Sequence, residues 1–257
     1  MEKPYILHML TTAKNLSPFD VNMAMDAGWV SAIPYTNVEL GEIQGLVQDA
    51  IFSRSAKNLK RTAIFIGGRD TKQAMDMLKM AKQAMVPPFE VSVFADPSGA
   101  FTTAAGMMAA VECELMTKFN TTLAGKNMLA LGGTGPVGQA AAVIAAKAGA
   151  NVRIIGRQLE KAQHIAELCS NEFGEGKNTV TAGADADKAE YIKTADIVVA
   201  TGAAGIELLS AELVASAPQL KVAADVNAVP PSGIAGVDAF QNGAAIAGST
   251  SGAVGIG

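Results

Sequence analysis

The sequence predicts an α/β protein built on parallel sheets, and three observations carry that expectation. Short apolar runs bounded by turn residues recur along the chain with segments of helical length between them, the alternation expected of βαβ units. The composition, 49% hydrophobic with 26 glycines and only 5% aromatic residues, suits alanine-rich helices over Val/Ile strands. One apolar run, residues 127–131, passes directly into a glycine-rich turn and then an alanine-rich helix.

Taken in order, the first half offers strands at residues 5–10, 29–34, 62–66 and 91–95, with helices at 18–27, 40–51, 71–85 and 102–119. Ser17 is placed to cap the first helix, and Pro18 suits its first position, where a missing N–H costs nothing. The methionines at 75, 77, 80 and 85 read as helix packing. From Asn120 to Lys126 the pattern breaks into a polar connector, which sets the expected boundary between an N-terminal α/β domain, residues 1–121, and a second domain, residues 122–257. The second series runs strand 127–131, helix 136–148, strand 152–155, helix 159–173, then strands 179–182, 197–200 and 222–225. The Gly/Ala/Ser-rich tail after Asn242 yields no element, and no repeat of fixed period stands out.

Charge and cysteine usage narrow the function classes. A formal charge of -4 lacks the basic excess that nucleic acid requires, so a small-molecule ligand is expected. Cys113 and Cys169 have no CxxC spacing and only His8 and His164 to join them, so neither a zinc cluster nor a disulfide framework is expected; both cysteines read as buried small hydrophobes. The start Met1-Glu2-Lys3-Pro4 lacks a basic region before an apolar run, and no stretch is apolar enough to span a membrane, which points to the cytoplasm.

The chemistry-bearing motif is Gly133-x-Gly135-x-x-Gly138, between strand and helix in a βαβ unit, the fingerprint of a Rossmann dinucleotide-binding domain. Gly133 serves the tight turn, Gly135 the close approach of backbone to pyrophosphate, and Gly138 the packing of helix on strand. Thr134, Pro136 and Val137 fill the loop, and the helix start aims N–H groups and a dipole at the phosphates. A glycine-rich turn that binds nothing is the bland alternative, against which the strand before and the helix after both count. At the end of the second strand, where NAD enzymes place a carboxylate for the adenosine ribose, this chain has Arg157, with Lys161 one helical turn on. A guanidinium fork suits the 2′-phosphate of NADP, so NADP is the expected cofactor, with NAD possible; a solvated surface arginine is the alternative.

Further candidates follow strand ends. Thr201, Gly202 and Ala203 form a small-residue loop suited to the nicotinamide ribose, and Asp225 and Asn227 precede a Pro230-Pro231 turn at the same edge. The first half offers Asp20, the Gly67-Gly68 turn, Asp96, Thr102 and Thr103; the carboxylates suit a polar substrate, while helix capping is the cheaper explanation of the threonines. The carboxylates show no paired spacing, and no Ser-His-Asp or Cys-His set is visible, so no hydrolytic site is expected.

Several scattered motifs resemble the NAD(P)-dependent methylene-tetrahydromethanopterin dehydrogenases of the methylotroph type. They are Ile6-Leu7-His8-Met9-Leu10, Ser17-Pro18-Phe19-Asp20-Val21, Ile33-Pro34-Tyr35-Thr36, Ile51-Phe52-Ser53-Arg54, Ile64-Phe65-Ile66-Gly67-Gly68, Phe94-Ala95-Asp96-Pro97, Gly132-Gly133-Thr134-Gly135 and Asp225-Val226-Asn227-Ala228-Val229-Pro230-Pro231. The resemblance covers essentially the whole chain. It implies hydride transfer from the methylene carbon of methylene-tetrahydromethanopterin to C4 of the nicotinamide, in a cleft between the N-terminal domain and the Rossmann domain. It further implies substrate-side roles for Asp20, Asp96, Thr102 and Thr103, cofactor-side roles for Thr134, Arg157, Gly202, Ala203 and Asn227, and a homo-oligomer, trimer or hexamer. The family continues past a turn like Gly255-Ile256-Gly257 into a lysine-bearing segment that returns to the cleft, so the C-terminal tail is expected to turn back toward it. The same chemistry on tetrahydrofolate, and an NADP-binding sensor without turnover, stand as the alternatives.

Overall fold

In the computed structural model, which describes residues 3–174, 176, 179–227 and 229–257, the apolar runs of the first hundred residues become four parallel strands. The elements are β1 (Ile6–Leu10), α1 (Pro18–Asp26), β2 (Ser31–Tyr35), α2 (Ile43–Phe52), α3 (Ala56–Leu59), β3 (Thr62–Ile66), α4 (Thr71–Gln83) and β4 (Ser92–Ala95). The strands lie in the order β2-β1-β3-β4. Pro34 cannot donate to a ladder, and it sits in β2, at the sheet edge. Period-two alternation divides the side chains between faces. Leu10, Ile64 and Ile66 join Val47 and Ile51 of α2 and Met77 and Ala81 of α4, while Leu7, Met9 and Ala63 join Ala24 of α1. Met77 is buried in that first cluster and Met80 and Met85 pack against it, so three of the four methionines are core packing, while Met75 joins no core cluster among the described residues. Ser17 caps α1 by accepting from the Phe19 N–H, and Asp70 caps α4 by accepting from the Gln73 N–H at 2.9 Å.

Contacts divide the chain into two units, Met1–Phe101 and Thr102–Gly257. The long helix α5 (Ala100–Phe119), expected in the first domain with a boundary after residue 121, packs its length into the core of the second unit. Ala104, Met107, Met108, Val111 and Leu115 form its apolar stripe, and they cluster with Met128 and with alanines of the next helix. Cys169 is buried, as expected. Cys113 is exposed, contrary to expectation, because it lies two residues beyond Val111 and so on the opposite side of the helix from the buried stripe.

The second unit continues with β5 (Asn127–Leu131), α6 (Pro136–Lys147), β6 (Asn151–Gly156), α7 (Leu159–Leu168), β7 (Val180–Ala184), α8 (Lys188–Tyr191), β8 (Ile197–Ala200), α9 (Ala211–Ala215), β9 (Val222–Asp225), β10 (Asn242–Ala245) and β11 (Val254–Ile256). The helix expected to reach residue 173 stops at Leu168 and continues as a π turn, Cys169–Phe173. The sheet order is β10-β11-β9-β8-β5-β6-β7, parallel throughout except for β10 against β11. From β7 inward the first five strands run third, second, first, fourth, fifth in sequence, as in the doubly wound order of dinucleotide-binding domains, and the seventh, β11, then the sixth, β10, extend the sheet beyond them. The order reverses between β5 and β8, and ligands of open α/β sheets bind outside the carboxyl ends of the strands at such a point. Strands β10 and β11 complete the sheet from the small-residue tail that yielded no element by sequence. Among the described residues no helix is long and apolar enough to cross a membrane.

Candidate functional site

The switch point is occupied by the glycine loop between β5 and α6, and the loop's glycines are not equivalent. A Cβ on Gly133 would lie 2.7 Å from the Ala130 carbonyl oxygen, and one on Gly138 would lie 2.4 Å from the Gly133 Cα. Both are therefore demanded by the polypeptide's own packing, the first by the turn and the second by the seating of α6 on the loop. Gly132, not singled out by the pattern, is equally constrained: its φ is +69°, and a Cβ there would meet the Gly202 backbone at 2.7 Å. Gly135 differs. Its φ of -83° and ψ of 166° suit any residue, and a Cβ there would find nothing nearer than the Gly132 carbonyl oxygen at 3.6 Å. The space in front of Gly135 is open, as the expected close approach of a pyrophosphate requires.

The start of α6 completes the cradle. Gly135 is its N-cap and carries no side chain, so no side-chain oxygen caps the first turn, as also at α2 and α7 and unlike α1, α4 and α9. Pro136 at the first helical position removes one N–H, and Val137 and Gly138 lie in the turn that faces the loop. An anion at this end gains both free N–H donors and the helix dipole. Gln139, missed by sequence, fixes the loop from behind: its Nε2 donates to the Thr134 carbonyl at 3.0 Å, while its buried Oε1 has no partner among the described residues.

Thr134 projects toward the end of β6, where its Cγ2 would lie 3.2 Å from a Cβ on Gly156. The next residue, Arg157, is exposed, and its guanidinium makes no hydrogen bond or ion pair among the described residues. Lys161 is exposed one turn into α7. Loop, strand end and two cations thus share the carboxyl edge of the sheet.

The loops after β8 and β9 close on the same edge. The Thr201 Oγ1 donates to the Leu131 carbonyl at 3.1 Å, and a Cβ on Gly138 would lie 2.7 Å from it, so Thr201 packs between β5 and the helix start. Ala203 is exposed beside Gly202. Asn227 donates from Nδ2 to the Gly202 carbonyl, tying the two loops together. Asp225 is buried and committed to its own turn: Oδ1 accepts from the Asn227 N–H at 3.0 Å and Oδ2 from the Ile234 N–H at 3.1 Å. Ala228, part of the 225–231 segment, lies outside the described residues. Beside this edge a cavity of about 530 Å³ is lined by Thr103, Gly106 and Met107 of α5, by Asp225 and Val226 at the end of β9, and by Phe240.

In the first unit the sequence reading found no paired carboxylates, yet the fold pairs two. Asp20 of α1 and Asp96 after β4 are both buried, and burial first, then the Asp96 charge, raises the Asp20 carboxyl above its ordinary value of 3.8. The Gly67 turn passes close by, since a Cβ at 67 would lie 3.1 Å from Asp20 Oδ2. Seventy-six positions of sequence separate the pair, which is why no spacing rule reveals it. Capping of α5, ascribed by sequence to Thr102 or Thr103, belongs instead to Asp96, whose Oδ1 accepts from the Phe101 N–H at 2.7 Å. The helix begins at Ala100, ahead of both threonines, which are exposed in its first turns. Among the described residues no cluster of three or more His, Cys, Asp or Glu is arranged to hold a metal ion.

Comparison with known proteins places this architecture. Residues 18–98 match the family model described as methylene-tetrahydromethanopterin dehydrogenase, N-terminal. The chain is 48% identical over 234 residues to the NAD(P)-dependent methylenetetrahydromethanopterin dehydrogenase of Methylorubrum extorquens, an alignment covering 91% of this chain and 79% of that one. It is 35% identical over 253 residues to the bifunctional protein MdtA of the same organism, covering 98% and 86%. Among solved structures, quinate dehydrogenase from Corynebacterium glutamicum in complex with NAD superposes with a TM-score of 0.54 at 15% identity, over 87% of this chain and 80% of that one, a likeness of fold.

Proposed function

From the premise that the chain belongs to the family of NAD(P)-dependent methylenetetrahydromethanopterin dehydrogenases, we propose that it oxidises methylene-tetrahydromethanopterin to the methenyl form with reduction of NADP, NAD being the second choice. The observation that carries the cofactor half is the cradle at Gly135, open to solvent in front of an uncapped helix start, where a glycine is kept that the polypeptide itself does not need. Gly133, Thr134, Gly135, Pro136, Val137 and Gly138 hold the pyrophosphate; Arg157 and Lys161 receive the 2′-phosphate; Thr201, Gly202, Ala203 and Asn227 shape the nicotinamide side.

Bound NADP supplies the hydride acceptor. The substrate carbon loses a hydride and its positive charge spreads over two flanking nitrogens, so no proton has to move at the reacting centre. The demand on the protein is orientation at near-attack distance and exclusion of water. On the substrate side we assign Asp20, Asp96, Thr102 and Thr103. A carboxylate near a polar pterin offers hydrogen-bond acceptors, and the raised Asp20 leaves that group protonated, and so a donor, to higher pH than an ordinary carboxyl. The assignment extends to a cytoplasmic homo-oligomer, trimer or hexamer, which light scattering tests directly; exposed Phe19, Val30 and Phe94 in the first unit support an association surface.

The test is spectrophotometric: NADPH formation with methylene-tetrahydromethanopterin and with methylene-tetrahydrofolate, each with NADP and with NAD. Turnover with the methanopterin substrate is expected, faster with NADP. Reduction only with the folate, or NADP binding without any turnover, would overturn the proposal.

A further inference from the structure

A second pocket lies at the opposite end of the second sheet from the glycine loop. It has a volume of about 320 Å³ and is lined by Asn127, Asn151, Arg153, Thr179, Thr181 and Tyr191, among others. Asn127, Asn151 and Thr179 lie at or beside the amino ends of β5, β6 and β7, so the pocket is a strand length, about 13 Å, from the cofactor edge. Parallel strands are normally apolar on both faces because helices cover them. Here one face of β6 presents Asn151 and Arg153, while Val152 and Ile154 on the other are buried in the core.

The pocket is built around the arginine. The Arg153 guanidinium carbon sits 4.2 Å from the centre of the Tyr191 ring. Both side chains press on β7 at Gly183, where a Cβ would lie 2.6 Å from the ring and 3.0 Å from Arg153 Cδ. The guanidinium is thus stacked against the Tyr191 ring, and it has no carboxylate partner among the described residues. The nearby acids are already paired, Glu190 with Lys193 at 2.7 Å and Asp196 with Lys221 at 2.6 Å, so the charge inside the pocket is that of Arg153. A further polar rim comes from the Asn151–Asn127 amide pair, joined at 3.1 Å, and the Thr179 and Thr181 hydroxyls.

We propose that this pocket binds a small oxyanion, a phosphate or carboxylate, by bidentate hydrogen bonding to Arg153, away from the dinucleotide loop. A preorganised fork with no counter-ion in a concave polar site is the chemistry that recognises such groups.

The experiment is calorimetric titration of the protein saturated with NADP, so that the loop and Arg157 are already filled, with inorganic phosphate and separately with succinate, at constant ionic strength in chloride. Saturable binding of one of them is expected, at least about tenfold weaker in Arg153→Gln and intermediate in Arg153→Lys, with NADP affinity unchanged in both. The two anions distinguish a phosphate from a carboxylate ligand. No saturable binding of either to wild type, or binding that both variants retain in full, would overturn the proposal; should the glutamine variant fold poorly, the lysine variant alone decides it.

Discussion

Replacing Gly135 with valine tests the proposal that this glycine serves a ligand while its neighbours serve the fold. Its backbone angles, -83° and 166°, lie in the extended region that β-branched residues favour, and the nearest protein atom to the new Cβ is 3.6 Å away. The residual cost is that of a poorer N-cap residue, about 1 kcal/mol at most, or a fall of no more than about 4 °C in the melting temperature of the ligand-free protein. In wild type, NADP at a hundred times its Kd adds about 2.7 kcal/mol, a rise of roughly 5–11 °C. Valine fills the cradle, so that rise should vanish in the variant. Gly138→Ala should do the reverse in the ligand-free state: its Cβ meets backbone at 2.4 Å, and the protein should lose about 1–3 kcal/mol or more before any cofactor is added. Differential scanning fluorimetry with and without NADP reads both effects. If Gly135→Val kept the NADP-dependent rise, or melted as early as Gly138→Ala, the distinction between the two glycines would be refuted.

Arg157→Asp should lower the ratio of NADP to NAD affinity at least about tenfold, since a charge-assisted contact of about 1.5–3 kcal/mol is replaced by repulsion; an unchanged ratio in fluorescence titrations would make Arg157 a solvated surface residue. Asp96→Asn should raise KM for the pterin in steady-state kinetics while leaving the NADP Kd within about twofold, and normal kinetics with both would remove Asp96 from the substrate side. Because burial and Asp96 raise the Asp20 carboxyl in the folded protein, its contribution to stability is fully present below pH 3.8 and is lost as pH rises through the higher folded value. Asp20→Asn should therefore gain stability relative to wild type as pH increases above 3.8 in urea melts, and a pH-independent difference would contradict the raised carboxyl.

The strands β1 to β9 were legible because each is an apolar run between turn residues, and β5, β8 and β9 fall where periodicity put them, at Asn127–Leu131, Ile197–Ala200 and Val222–Asp225. What was not legible follows from two physical facts. Strands β10 and β11 are four and three residues of mostly small side chains, too short for any period to appear; the pairing of β11 with β9, and of β10 with β11, is decided by the sheet edge they complete. The allegiance of α5 depends on what its apolar stripe meets. A stripe of Ala104, Met107, Met108, Val111 and Leu115 announces that one face is buried but is silent on the partner, and the polar connector after it looked like the better boundary.

The site divides along the same line. Local chemistry was readable: a glycine loop, a helix start and an arginine at the next strand end are close in sequence, so spacing alone brought Gly133, Gly135, Gly138 and Arg157 into view. Contacts between distant positions were not. Asp20 and Asp96 meet because β1, β3 and β4 end side by side and the Gly67 turn leaves room, and Asp96 takes over the helix start that the threonines were expected to cap. Gln139 escaped notice because a glutamine in an alanine-rich helix resembles a solvent-facing residue until the fold buries it against Thr134. The GxGxxG pattern itself treats its three glycines alike, although two answer to the chain's own packing and one does not. Gly135, at angles any residue can adopt and with no protein atom nearer than 3.6 Å to an added Cβ, is the one of the three whose presence the chain's own packing does not explain, and at the start of α6 the helix dipole favours an anion in that space.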